Sequence, residues 1–295
     1  MGPADAMVRA MNTKQQNTDY CRLQAREHDA DRYFVSLFAS AEKRPALWAL
    51  IAFNQEVAKT RAVVSEAMLG EIRLQWWREA LDGIAAGTPR AHPVVETMAT
   101  EIHDFLAIRH YLDAIIDTWS DDFGGAQVTL AKLKTHAAGT GGALNAAMLR
   151  VLNTDASAIQ LDLASLAGTV WSLMGVVRAL PHELANPSSD WQNLLAETSV
   201  GTSGDTAQAV SAVSAVLPTV KTLLASVGED IAALHDGLTH ARKDAALRTV
   251  LGLVPLSTIE WRAANRVGDD LMALEKHQPG DARKLLALMK YQFFG

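Results

Sequence analysis

Residues Glu42–Ile84, EKRPALWALIAFNQEVAKTRAVVSEAMLGEIRLQWWREALDGI, decide how the rest of the chain is read. In the first half, Leu47, Leu50, Ile51, Asn54, Ala58 and Ala62 recur at steps of three and four, the spacing of one buried helical stripe. Ser40 can cap this helix, and Pro45 is tolerated near its start, where no intrahelical hydrogen bond is lost. Ser65 and Glu66 open a second helix, on which Glu71, Gln75, Arg78 and Asp82 form a polar, solvated stripe with favourable ion pairing. The other side chains there, among them Met68, Leu69, Ile72, Leu74, Trp76, Trp77, Leu81 and Ile84, are bulky and apolar, and both tryptophans read as core. The stretch predicts two consecutive amphipathic helices.

Two polar residues interrupt the apolar faces. Asn54 lies on the inward stripe of the first helix, with Glu56 on the opposite side, so its amide needs a partner: either a neighbouring core group or a bound ligand. Arg73 falls opposite the polar stripe of the second helix. A guanidinium there requires a carboxylate, a carbonyl or a bound anion, so an ion pair and an anion site are both open.

Outside this stretch the composition agrees. The 295 residues are 49% hydrophobic and 6% aromatic, rich in Ala and Leu, and Val and Ile form no alternating runs. That profile predicts an all-α fold with a sizeable core. The 33 acidic and 27 basic side chains are spread evenly, giving a net charge of −6 and no basic patch, which excludes nucleic acid as a partner. Cys21 is the single cysteine, so no intrachain disulfide forms. His235 and His240 are five apart and diverge on a helix, and no phosphate-binding loop, nucleophile elbow or dinucleotide fingerprint occurs. The glycine-rich run Ala138–Gly142 has helical pattern on both sides and reads as a helix break or a close helix contact.

Taken in order, residues 1–17 are polar, lack the apolar core of a secretory signal, and are expected to be a disordered tail before one domain spanning 18–295. Helical pattern starts near Thr18 and is broken by His28–Asp31. After the turn Gly87–Pro93, helices are expected at Val94–Ala107, Arg109–Trp119, Ala126–Leu152 and Ala156–Leu180, the last stopped by Pro181. Its uncharged segment Leu163–Val177 is too short to span a membrane at ~20 residues, and reads as core. Asn186–Asp205 is the least ordered stretch. Further helices are expected at Thr206–Ser226, Glu229–Thr239, Lys243–Arg266 with a kink at Pro255, Gly268–His277 and Asp281–Phe293.

EKRPALWALIAFN followed by SEAMLGEIRLQWWREALD resembles the squalene/phytoene synthase family of head-to-head prenyl transferases, with agreement in order from about Tyr20 to Lys290. The resemblance implies a single-domain, isoprenoid-synthase-like helical bundle around a central cavity. In that family, aspartates facing the cavity hold Mg²⁺ ions that stabilise departing diphosphate. The pattern F-C-R-x-x-D-D-x-x-D, laid from Phe53, puts its aspartate positions on Ala58, Lys59 and Ala62. The second pattern, L-R-D-x-x-x-D, falls on Val177, Arg178, Ala179 and Glu183, so the arginine is kept and one glutamate remains. The tyrosine-leucine-proline run that normally follows is replaced by ANPSSDWQ at 185–192.

An aspartate-poor branch of the family, the mitochondrial assembly factor of respiratory complex I, matches better. YCRLQAREHDADRY, ALIAFNQEVA and VVSEAMLGEIRLQWW carry that likeness, with Asn54 and Glu56 shared. The resemblance implies a protein without catalytic or metal-ligating residues and without a cofactor. It would act in complex I assembly, or hold an isoprenoid- or lipid-like ligand through the cavity candidates Asn54, Arg73, Arg178 and Glu183. Its expected partners are respiratory-chain subunits or that ligand, and its expected place is the cytoplasm, at most peripheral to the inner membrane. The alternative is an active Mg²⁺-dependent prenyl transferase acting on isoprenyl diphosphates. An unrelated helical interaction module does not account for the order of the motifs.

Overall fold

The computed structural model describes residues 3–63, 67–121, 129–185, 205–241 and 243–294, and every regular element among them is helical. In chain order these are α1 (Pro3–His28), α2 (Ala30–Ser36), α3 (Arg44–Val63), α4 (Ala67–Ala85), α5 (Pro93–Glu101) and α6 (Leu106–Asp121). There follow α7 (Leu130–Ala137), a π-helical turn (Ala138–Gly142), α8 (Ala143–Leu152), α9 (Ala158–Ala185) and α10 (Asp205–Ala241). Then come α11 (Ala245–Val250), α12 (Leu253–Val267), a short 3₁₀ turn (Leu271–Ala273), α13 (Leu274–His277) and α14 (Asp281–Phe294).

Helix α3 is central. Ala46, Leu47, Ala49, Leu50, Ile51, Ala52 and Phe53 are all fully buried, so its first half has neighbours on every side rather than along one stripe. It packs on α1, α4, α5, α6 and α8. Helix α9 is the second central helix, set against α8, α10 and α12. By length and composition α9 could cross a membrane, yet Ala164, Ala167, Val170, Leu173 and Val177 are buried inside the bundle, as expected of a core helix.

The glycine run is a close contact. The N–H of Ala143 reaches back to the Ala138 carbonyl, five residues earlier, which widens the turn. This brings Gly141 and Gly142 against α9. A Cβ on Gly141 would fall 1.8 Å from Ser172 Oγ, and one on Gly142 would fall 2.5 Å from Thr169 Oγ1. Both readings of the run hold together: the helix is irregular because its backbone must touch its neighbour.

Several boundaries differ from the sequence expectations. The first helix starts at Pro3 rather than near Thr18; Lys14 pairs with Glu101 at 2.8 Å, and Asn17 donates to Glu96 on α5. Helix α9 continues through Pro181 to Ala185, and α10 runs unbroken past Gly228, where the chain passes close under the Trp261 ring. The helix expected over Lys243–Arg266 is interrupted at Leu251 and Gly252, which leaves Pro255 in the first turn of α12. The expected capping by Ser65 and Glu66, and nearly all of Asn186–Asp205, lie outside the described residues.

The break at His28–Asp31 is as expected. Asp29 caps α2 by accepting the Arg32 N–H at 3.2 Å. His92 does the same for α5 with a ring nitrogen, Nδ1 accepting the Val94 N–H at 3.3 Å. Burial among Tyr20, Trp76 and Trp77 pushes the His92 pKa below its usual value, while Glu56 and Glu96 pull it part of the way back. A depressed folded-state value stabilises the fold above the unfolded value of about 6.5, and that contribution fades as pH falls through the folded one. Urea titrations at stepped pH should therefore show stability declining below about pH 6.5, less steeply in His92→Asn, which keeps a cap acceptor but does not titrate. Equal slopes for both proteins would rule out this cap as the acid-sensitive element.

Candidate functional site

The elements meet around a hollow of about 390 Å³. Its walls are the α1–α2 junction (His28 to Arg32), Asn54 and Ala58 of α3, Trp119 of α6, His136 and Thr140 beside the wide turn, and Trp171, Ser172, Gly175 and Arg178 of α9. Small residues make the space: Ala58, Gly141 and Gly175 face it where longer side chains would fill it.

Of the four residues proposed from sequence, Asn54 and Arg178 line this hollow. Arg73 does not; it is exposed on α4. Helix α4 buries Gly70, Leu74, Trp77, Ala80, Leu81 and Ile84, while Met68, Leu69, Ile72 and Arg73 in its first turns are exposed. The polar stripe of α4 is not simply solvated either: Glu71 accepts from Ser120 at 2.6 Å, Arg78 pairs with Asp117 at 2.8 Å, and Asp82 pairs with Arg109 at 2.9 Å, all on α6. Glu183 is half-buried and lies about 7.5 Å along α9 beyond Arg178, outside the lining. Trp76 and Trp77 are packing residues, as expected; Trp77 meets Phe53 edge-on at 5.3 Å.

Sequence reading missed a charge cluster that runs from Asp29, Asp31, Arg32 and Arg178 in the lining to Glu260 and Lys284, which lie outside it. Arg32 and Asp29, both nearly solvent-free, pair at 2.7 Å. Lys284 of α14 reaches Asp31 at 2.9 Å and Glu260 of α12 at 2.9 Å. Glu260 in turn pairs with Arg178, whose guanidinium lies 4.2 Å over the Trp171 ring. Burial opposes the charge on Lys284, but Glu260 and Asp31 outweigh it and raise its pKa. The only available sequence signal was HDADR itself, a run of charges at a helix break.

Divalent metal does not suit this donor set. Ala58 occupies the wall at the first aspartate position, and Lys59 turns away to Gln24 at 2.8 Å and toward Glu56 at 3.4 Å. Ala179 is exposed. The two carboxylates in the lining, Asp29 and Asp31, are each engaged by a cation of the protein. Among the described residues no group of three or more His, Cys, Asp or Glu side chains could hold a metal ion.

Comparison with known proteins places this arrangement in context. The squalene/phytoene synthase family model matches residues 25–269. The protein described as NADH dehydrogenase (ubiquinone) complex I, assembly factor 6, is 29% identical in Bos taurus over 165 residues, which is 55% of this chain and 49% of that protein. The Homo sapiens counterpart is 28% identical over the same length. The chain thus matches about half the length of these relatives. A dehydrosqualene synthase crystallised with a ligand superposes with a TM-score of 0.69 at 13% identity, covering 95% of this chain and 96% of that one. A squalene synthase from Alicyclobacillus acidocaldarius gives 0.56 at 16% identity, covering 95% of each. These two likenesses concern the fold.

Proposed function

The chain belongs to the squalene/phytoene synthase family, and from that premise we propose that it is a non-catalytic member whose cavity holds an isoprenoid- or lipid-like ligand in the service of respiratory complex I assembly. One observation carries the first part. A hollow of about 390 Å³ is lined by Arg178, while alanine stands at position 58 of its wall and its carboxylates, Asp29 and Asp31, are bound to protein cations. Leaving diphosphate carries several negative charges, and departure into a partly apolar hollow requires cations that this wall does not gather. The second part is supported by the likeness to complex I assembly factors, which covers 165 residues, about half of each protein.

Purified protein supplied with Mg²⁺ and farnesyl or geranylgeranyl diphosphate should release no pyrophosphate above background. Turnover that disappears on adding a chelator would overturn the reading and make the chain an active prenyl transferase. In cells, loss of the protein should lower the amount of assembled NADH dehydrogenase; normal assembly would remove the second part and leave the first.

A further inference from the structure

Helix α14 carries apolar side chains on two opposite faces. Leu288 and Tyr291 are buried against the fold, and Lys284 beside them reaches Asp31 and Glu260, each at 2.9 Å. At about 100° per residue, Ala282, Leu286, Met289 and Phe293 fall on the side turned away from these three. A surface helix ordinarily carries polar residues there. Here Leu286 and Phe293 are 68% exposed and Phe294 85%, with Leu285 and Met289 also open to solvent. Single apolar residues on a surface need no account, but five large ones within ten residues of one helix do. The helix is nonetheless fixed in place: Phe293 meets Phe38 edge-on at 6.2 Å, and Gln292 donates to the Arg248 carbonyl at 3.2 Å.

Charge says what covers this face. The chain as a whole is acidic, at −6, yet α14 holds Arg283, Lys284 and Lys290 against one carboxylate, Asp281, at its first position. Lys284 is engaged by the fold. Arg283 and Lys290 are exposed and share one flank of the apolar stripe, on the side away from Asp281. A stripe of leucine, methionine and phenylalanine edged by cations is what an interfacial helix presents to a bilayer. The stripe enters the boundary between headgroups and acyl chains, and the cations stay with anionic headgroups. An antiparallel pairing of two copies through this face would instead gather the cations of both along one flank.

We propose that α14 docks this protein on a membrane surface that carries anionic lipids, its stripe from Leu286 to Phe293 lying in the plane of the interface. This docking is independent of what the hollow holds. Through Lys284 the same helix is tied to Asp31 of the hollow's lining, so a docked α14 sets the cavity beside the lipid. The test is co-sedimentation of the full chain with vesicles of phosphatidylcholine alone, or of phosphatidylcholine mixed with phosphatidylglycerol. Each cation near an anionic surface contributes roughly fivefold to binding, so the mixed vesicles should be preferred at least about tenfold. Added salt should reduce that preference. Arg283→Gln with Lys290→Gln should remove it. Leu286→Ser with Phe294→Ser should weaken binding to both kinds of vesicle at least about tenfold. Ile72→Ser with Leu106→Ser, at exposed apolar positions of α4 and α6, is the control and should change nothing. All six side chains are exposed, and thermal unfolding checks that each variant is folded. No binding to the mixed vesicles, or binding that the α14 variants leave intact or the control pair reduces equally, would overturn the proposal. A dimer seen by sedimentation velocity and dissolved by Leu286→Ser with Phe294→Ser would overturn it too, because the occupant would then be a second copy. None of these outcomes alters the pyrophosphate result, which reports on the hollow alone.

Discussion

Replacing Gly168 with alanine should cost this protein about 3 kcal/mol, at the upper end of what overpacking a core does. The added methyl would lie 2.1 Å from the Gly141 carbonyl oxygen and 2.6 Å from Asn145 Cβ. Neither can swing aside, because the first is backbone and the second is rooted in a helix. Asn145 is also tied to the Ala164 carbonyl at 2.7 Å, so pushing α8 away from α9 would strand that buried amide. Gly280 is the matching control, since a methyl added there would meet nothing within 4 Å. Denaturant unfolding of the two variants side by side makes the comparison. If Gly168→Ala were as stable as Gly280→Ala, α9 could not lie as close to the π-helical turn and α8 as described. The same substitution should loosen the cavity, since Gly141 and Gly175 are parts of its wall.

The second large effect is expected at Glu260. Its carboxylate is 3% exposed and faces two cations, Arg178 and Lys284. Glu260→Leu removes the shared anion and leaves both cations short of a partner, a change worth about 3–5 kcal/mol when a buried pair is broken from one side. The lower figure is the better expectation, because Arg178 retains solvent contact and Lys284 keeps Asp31 at 2.9 Å. The alkaline limb of the stability profile should change as well. Lys284 has a raised folded-state pKa, so its contribution is fully present below the unfolded value of about 10.4 and is lost as pH climbs through the folded one. Without Glu260 that loss should begin at lower pH. A destabilisation under about 0.5 kcal/mol, the range of an ordinary surface change, would show that the cluster is a surface feature.

How much of this was visible in the sequence depends on the distance over which each feature is decided. The 3-4 pattern of α3, the break at His28–Asp31 and the close contact at Ala138–Gly142 are local, and all three could be read from neighbouring residues. Asn54 and Ala58 could be placed on an inward face for the same reason. The wheel puts Arg73 opposite Glu71, Gln75, Arg78 and Asp82, between the buried Ala80 and Ile84, yet it is exposed because the first turns of α4, with Met68, Leu69 and Ile72, are left uncovered. The continuity of α10 through Gly228 depends on Trp261, which covers that glycine from another helix. The charge cluster was out of reach altogether. Asp31 and Lys284 stand 253 residues apart, and no spacing rule links them. Arg32 looked like one charge in a polar break; its role emerges only when α3, α6 and α9 close around it.

The widened turn at Ala138–Gly142 works as a surplus residue spliced into an otherwise regular rod. Each residue of an α-helix advances the azimuth by about 100°, so the surplus rotates everything before it relative to everything after it by roughly that much. Downstream, Asn145 donates to the Ala164 carbonyl; upstream, His136 lines the hollow. No regular helix through 130–152 could satisfy both directions. A version of the chain shortened by a single residue there would keep two sound helices and lose the phase between them, turning the histidine away from the chamber it now borders.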